Sequence, residues 1–218
     1  MKYPNFREEK RLWEKGYRYV AGLDEAGRGP LAGPVVAAVA LIDLRFKVPD
    51  LRFLKGIRDS KKLTPKKREE FYGLLTNHPR IKWGIGRVSE KVIDKINIKN
   101  AAELAMEKAL NNLKSKFQNP NSKVDYLIID GIHISNLKLK SYNLKLIPKA
   151  DEKVFSCAAA SIIAKVHRDR IMRRYDKKYS EYGFDKHKGY PTRQHRKMLR
   201  KHGPCKIHRK TFKPVRKP

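Results

Sequence analysis

The stretch Tyr17–Ile42 reads YRYVAGLD, then EAGRGPLAGP, then VVAAVALI. The first piece, Tyr17 to Asp24, is rich in Tyr and Val and reads as a strand that ends on an acid. The second, Glu25 to Pro34, carries three glycines and two prolines, so the chain turns there. The third, Val35 to Ile42, is eight apolar residues, too few to span a bilayer and right for a buried strand. Together they predict two strands joined by a sharp reversal.

Outward from this core, Thr64 followed by Pro65 opens a helix running to about Leu75, with Thr as N-cap and Pro at its first position. Ile81 to Val88 reads as a further strand. Asn100 and Glu103 resemble a capping box, before a stripe of Ala105, Ala109, Leu113 and Phe117 at four-residue spacing. Tyr126 to Asp130 (YLIID) is a short apolar strand that again ends on an acid, and Leu144 to Ile147 is another strand. Ser156 is expected to cap a helix whose first half is small and apolar and whose second half is basic. A last helix lies around Arg193 to His202. Strands interspersed with helices predict an α/β fold with a mixed sheet. The organisation expected is a polar lead-in (1–16), a catalytic domain (17–180) and a basic C-terminal extension (181–218).

The chain holds 52 Lys and Arg against 22 Asp and Glu, a formal net charge of +30, which points to a polyanionic partner, nucleic acid above all. In such a chain the informative acids are those at strand ends, because a carboxylate there has lost water and needs a cation. Asp24 ends one strand with Glu25 beside it in the turn, Asp130 ends another, and Asp151 follows Ile147 just ahead of the Ser156 helix. These four can converge at one edge of the sheet, where Mg²⁺ or Mn²⁺ would neutralise them. Asp94, Asp125, Asp169 and Asp176 lie in polar or basic surroundings and read as surface or ion-pair residues. For Asp169 the neighbours Arg168 and Arg170 are the expected partners.

Gly27 and Gly29, flanking Arg28, can expose backbone N–H groups and a guanidinium to a phosphate or sugar. Lys61 and Lys62, in the basic loop Arg58–Leu63, can grip phosphates. The two cysteines, Cys157 and Cys205, lack a zinc-type pairing and read as reduced thiols of a cytoplasmic protein. The first residues lack the apolar core of a signal peptide, and no membrane association is expected.

The run Gly22 to Val35 (GLDEAGRGPLAGPV) closely resembles the signature of the ribonuclease HII family. Five further segments are similar in the same order: Asp59–Leu63, Ile93–Ala105, Leu127–Gly131, Ala158–Arg170 and His187–Thr192. The tail, with Gly203-Pro204 and Ile207-His208-Arg209, resembles the bacterial branch. The resemblance implies a ribonuclease-H-like mixed sheet flanked by helices, with a C-terminal helical extension. It implies a site of Asp24, Glu25, Asp130 and Asp151 using two Mg²⁺ or Mn²⁺ ions. It implies a monomer that hydrolyses the RNA strand of RNA–DNA hybrids and nicks duplex DNA on the 5′ side of embedded ribonucleotides, leaving a 5′-phosphate and a 3′-hydroxyl. Gly27, Arg28 and Gly29 would contact the 2′-hydroxyl and adjacent phosphates, while Tyr190 packs on the following deoxyribose. The competing expectations are a DNA nuclease of the same superfold and a basic RNA-binding protein without catalysis.

Overall fold

A computed structural model of the chain describes residues 3–42, 56–57, 59–117, 123–131 and 133–215. Arg58 of the basic loop, the first two residues of the lead-in and the last three of the C-terminal extension lie outside the described residues.

One mixed sheet organises the chain. Strand β1 (Val20–Ala26) pairs antiparallel with β2 (Val35–Ile42), and β2 pairs antiparallel with β3 (Ile81–Val88). On its other side β1 runs parallel to β4 (Tyr126–Asp130), which is followed by the short helix α4 (Leu137–Lys140) and runs parallel to β5 (Asn143–Ile147). The order is β3-β2-β1-β4-β5, with β1 at the centre. β1 differs from the expected strand at both ends. The amides of Arg18 and Tyr19 bond the Asp125 carboxylate, while Glu25 and Ala26 stay paired with Ala37 and Val36 of β2. Glu25 therefore belongs to a strand and not to the turn.

Two long helices cover the faces. α3 (Glu90–Lys114) packs on the face carrying Ala21, Leu23, Val35, Ala37, Val39 and Leu41. α5 (Phe155–Lys178), with α2 (Pro65–Asn77), covers the face of Ala38, Ala40 and Ile42. β2 is thus buried on both sides, which explains its unbroken apolar run. Gly86 shows how close α3 lies: a Cβ there would sit 1.9 Å from the Ala105 carbonyl oxygen. Ala105, Ala109 and Leu113 are buried on this helix, whereas Phe117 lies past its end and packs on the same core from there.

Two expected caps are corrected. α3 breaks at Asn97 (φ 64°), and the Asn97 side chain accepts the Asn100 amide at 3.1 Å. Asn97 therefore caps the second segment. Glu103, one turn further on, is free to receive the amides of Ser135 and Asn136 at 3.1 and 2.6 Å. Ser156 lies inside α5, behind Val154, and its amide donates to Glu9 of α1 (Arg7–Glu14) at 2.9 Å. A distant carboxylate closes that helix start because the local residue has turned inward.

The chain then continues through α6 (Phe184–His187) and α7 (Arg193–His202). No helix among the described residues is long and apolar enough to cross a membrane.

Candidate active site

The sheet sets the first two acids side by side. Leu23 of β1 is in register with Ile129 of β4, so Asp24 and Asp130 follow together at the carboxyl ends of parallel neighbours. Strand order reverses at β1, and such a switch point is where open α/β sheets place their sites. After β5 the backbone passes Lys149 in a left-handed conformation (φ 56°) and enters a 3₁₀ turn, Ala150–Glu152. That turn delivers Asp151. The Asp130 carboxylate accepts the Ala150 amide at 3.0 Å, tying the turn to β4. One carboxylate oxygen from each of Asp24, Asp130 and Asp151 falls within 4.8 Å of the others.

Burial and mutual repulsion dominate the electrostatics. Burial first, then Glu25 and Asp130, push the Asp24 carboxyl well above the usual range, with a hydrogen bond from Ser161 opposing. Burial, Asp130 and Asp59 raise Asp151 to about 6, with Lys61 opposing. The Lys61 ammonium lies 3.7 Å from Asp151. Burial works against its charge, but Asp151, Asp59, Asp24 and Asp130 together hold it above its ordinary value. The cluster needs more positive charge than one exposed lysine provides.

Glu25 stands outside that trio. Its Oε1 pairs with Arg28 at 3.2 Å, while its Oε2 is buried with no hydrogen-bond partner among the described residues. Burial raises its carboxyl, and Arg28 opposes this. A cavity of about 470 Å³ opens beside Glu25, Arg28 and Asp130, lined also by Lys99, His133 and Lys149. Lys62 pairs with Glu152 at 3.0 Å, so Lys61 and Lys62 both lean toward the 3₁₀ turn that carries Asp151.

The turn of Gly27, Arg28 and Gly29 meets Tyr190. Tyr190 is 40% exposed, and its ring lies where a Gly29 Cβ would approach it to 3.8 Å. Gly29 could thus carry a Cβ in ordinary contact, whereas Gly27 (φ 101°) has no room, since a Cβ there would run into the Arg168 side chain. Arg168 is fully buried and has no carboxylate partner among the described residues; it donates to the carbonyls of Pro34, Ala32 and Lys188 at 3.0–3.2 Å. Arg209, equally buried, donates to Gly33, Arg28 and Gly27 at 2.6–3.0 Å. Burial lowers the two guanidiniums to about 10 and about 9, and carbonyl dipoles take the place of a counter-ion.

Asp169 is held as an ion-pair residue, though by other partners than its sequence neighbours. Lys165 one turn back (2.6 Å) and Arg68 of α2 (3.4 Å) contact it. Arg168 faces the carbonyls, and Arg170 pairs with Glu69 at 2.7 Å. Helix geometry explains this: residues adjacent in a helix point about 100° apart and do not share a partner.

Sequence reasoning overlooked Asp59, Ser60 and Ser161. Asp59 receives the Lys61 amide at 2.9 Å and lies against Asp151. The Ser60 and Ser161 hydroxyls share a 2.9 Å hydrogen bond, linking the lysine turn to the Asp24 support. The available signal was an acid just before Ser60-Lys61-Lys62, masked by the basic run around it. Arg168 and Arg209 carried none, since both sit among other basic residues.

Comparison with known proteins identifies the family. Residues 21–215 match the family profile described as Ribonuclease HII. The chain is 46% identical to a Ribonuclease HII of Caldicellulosiruptor bescii, covering 95% of this chain and 92% of the relative. It is equally 46% identical to one of Chlamydia caviae, covering 95% and 90%. Its fold is similar to the crystal structure of ribonuclease H2 from Pyrococcus horikoshii OT3, with TM-score 0.70 and 31% identity over 91% of this chain and 95% of that one. The chain belongs to the ribonuclease HII family and is a ribonuclease H endonuclease.

Proposed function

We propose that Asp24, Glu25, Asp130 and Asp151 form a divalent-metal centre that hydrolyses the RNA-containing strand of RNA–DNA hybrids and nicks duplex DNA 5′ of embedded ribonucleotides. The observation that carries this is the convergence of three carboxylate oxygens within 4.8 Å at adjacent strand ends. An all-oxygen donor set suits Mg²⁺ or Mn²⁺. The raised carboxyls of Asp24 and Asp151 and the orphaned Glu25 Oε2 are what such ions would relieve. Two bound ions would supply an activated water and stabilise the leaving 3′-oxygen.

The chain's own residues do the rest. The Ala150 amide and the Ser161 hydroxyl orient Asp130 and Asp24. Lys61, Lys62 and Arg28 position phosphates without transferring protons. Gly27 and Gly29 let a ribose and its 2′-hydroxyl approach the backbone, and the exposed Tyr190 ring packs on the deoxyribose that follows. The product carries a 5′-phosphate, leaving a 3′-hydroxyl on the upstream strand. On this reading the chain works as a monomer inside the cell.

The test is cleavage of a DNA duplex carrying one ribonucleotide, with and without Mg²⁺, with both product ends mapped. A single Mg²⁺-dependent nick on the 5′ side of the ribonucleotide supports the reading. Metal-independent cleavage, or equal cleavage of all-DNA duplex, refutes it.

A further inference from the structure

We propose that the adjacent pair His208-Arg209, acting with His195, sets the spacing between the Gly27-Arg28-Gly29 turn and the Tyr190 ring, and thereby the enzyme's preference for an RNA-to-DNA junction. The proposal rests on the reading of Tyr190 given above. It makes three residues of the C-terminal segment positioning residues for substrate choice.

The two side chains reach opposite halves of the reading surface. The Arg209 guanidinium donates to three carbonyls of the glycine turn and its continuation, and its amide donates to Leu31 at 2.8 Å. His208 reaches the other half through His195: the two Nε2 atoms are 3.0 Å apart, and His195 Nδ1 is 2.9 Å from the Tyr190 carbonyl. Both rings are buried. The same short segment therefore holds the turn on one side and the tyrosine backbone on the other.

One backbone donor assigns the hydrogen-bond roles along this relay, with the Cys205 Sγ also 3.2 Å from His208 Nδ1. The Cys205 amide can only donate, and it points at His208 Nδ1 at 3.0 Å, so that nitrogen carries no proton. The His208 proton is then on Nε2 and is donated to His195 Nε2. This leaves the His195 proton on Nδ1, donated to the Tyr190 carbonyl. A parallel pair repeats the logic one loop earlier. The Gly189 amide donates to His187 Nδ1 at 3.1 Å, and His187 Nε2 donates to the Tyr182 carbonyl at 2.9 Å. His187 and His195 stack with ring centroids 4.4 Å apart.

A neutral relay is required, because a proton added to His195 Nε2 would face the one on His208 Nε2, and one added to His208 Nδ1 would face the Cys205 amide. The surroundings enforce neutrality: burial, with His195 beside it, pushes His208 down to about 4, and burial lowers His195 and His187 as well. Phe184 packs on all three rings, and Tyr182 packs on His208. The charges acting on the group are Lys188, Asp176 and Asp185 at His187, and Glu181 and Glu90 at Cys205. A loop carrying two successive left-handed residues, Lys188 (φ 51°) and Gly189 (φ 84°), needs such bracing to hold one position for the ring after it.

The experiment compares kcat/KM on a duplex with one embedded ribonucleotide and on a continuous hybrid, for three variants, each alone and combined with Tyr190→Ala. His195→Phe keeps the stacked ring and removes the donor; His195→Asn keeps a donor near the Nδ1 position; Arg209→Lys keeps the charge but cannot span three carbonyls. A displacement on the order of 1 Å is worth up to ~100-fold in rate, so about a tenfold loss of the substrate preference is expected for His195→Phe and Arg209→Lys. His195→Asn should restore most of it. In the Tyr190→Ala background neither disruptive variant should reduce the preference further. Equal losses on both substrates, or effects additive with Tyr190→Ala, would overturn the proposal. Should His195→Phe fail to fold, Arg209→Lys and His195→Asn decide it alone. If wild type and Tyr190→Ala show the same preference, the reading of Tyr190 itself has failed, and that outcome is separate.

Discussion

Asp130 accepts the amide of Ala150 at 3.0 Å, so the carboxylate that ends β4 also anchors the residue before Asp151. The two acids are mechanically coupled as well as electrostatically opposed. Asp130→Asn keeps an acceptor for Ala150 but removes charge; Asp130→Ala removes both. Hydrolysis should fall by orders of magnitude in each, with hybrid binding retained. Only the alanine variant should also lose about 1 kcal/mol of stability from the missing hydrogen bond. Near-normal turnover by Asp130→Asn at low Mg²⁺ would refute the metal-centre assignment.

The raised Asp151 carboxyl gives a stability signature. Its folded value of about 6 exceeds the ordinary 3.8, so the folded chain holds this proton more tightly than the unfolded chain does. The resulting stabilisation is complete below about pH 4 and is lost as pH rises through about 6. In chelator at neutral pH, Asp151→Asn should therefore be the more stable protein, by on the order of 1–3 kcal/mol. Mg²⁺ should raise the Tm of wild type far more than that of the variant. Identical Tm curves from pH 4 to 8 in chelator would contradict the electrostatic argument.

Asp169 and Asp151 should separate cleanly. Asp169→Asn loosens two half-buried ion pairs, with Lys165 and Arg68, and should lower Tm. Activity per folded molecule should stay within a few-fold of wild type, whereas Asp151→Asn should lose nearly all of it. The reverse pattern, in variants shown by circular dichroism to be folded, would move the site to Asp169.

Salt should act through identifiable cations. Lys66, Lys186 and Lys188 line a cavity of about 460 Å³ between α2 and α5. With a net charge of +30, log affinity for any duplex should fall linearly with log salt. Lys186→Ala should reduce that slope by about one unit if its charge meets a phosphate. A wild-type slope near zero would show that the basic residues face away from the duplex.

Tyr190 can be tested by ring and hydroxyl separately. Tyr190→Ala should lose most activity on a single embedded ribonucleotide and much of the preference for it over continuous RNA. Tyr190→Phe should lose less, since the ring face beside Gly29 survives. An equal fractional loss on both substrates, with a lowered Tm, would make Tyr190 a packing residue.

Local chemistry and periodicity were enough for the sheet, because each strand carries its own signal. Val35–Ile42 and Ile81–Val88 occupy the expected ranges, and Thr64 and Pro65 open α2 as their cap chemistry requires. Asp24 and Asp130 were legible for the same reason, as charges that follow apolar runs, although β1 continues two residues past Asp24. The misplaced caps share a different cause. Asn97 and Glu9 replace Asn100 and Ser156 because capping is competitive, and the winning oxygen can come from outside the helix or from a kink within it.

Only the tertiary structure decided the partners of charges. Ion pairing depends on three-dimensional proximity, so Asp169 meets Arg68, which is 101 positions away, in preference to Arg168 or Arg170. The roles of Arg168 and Arg209 could not be read from sequence at all. A buried guanidinium satisfied by carbonyls leaves no complementary acid to find, and carbonyls belong to every residue. The strand-end carboxylates, by contrast, announced themselves, because in a chain with 52 basic residues an acid at the end of an apolar run is rare.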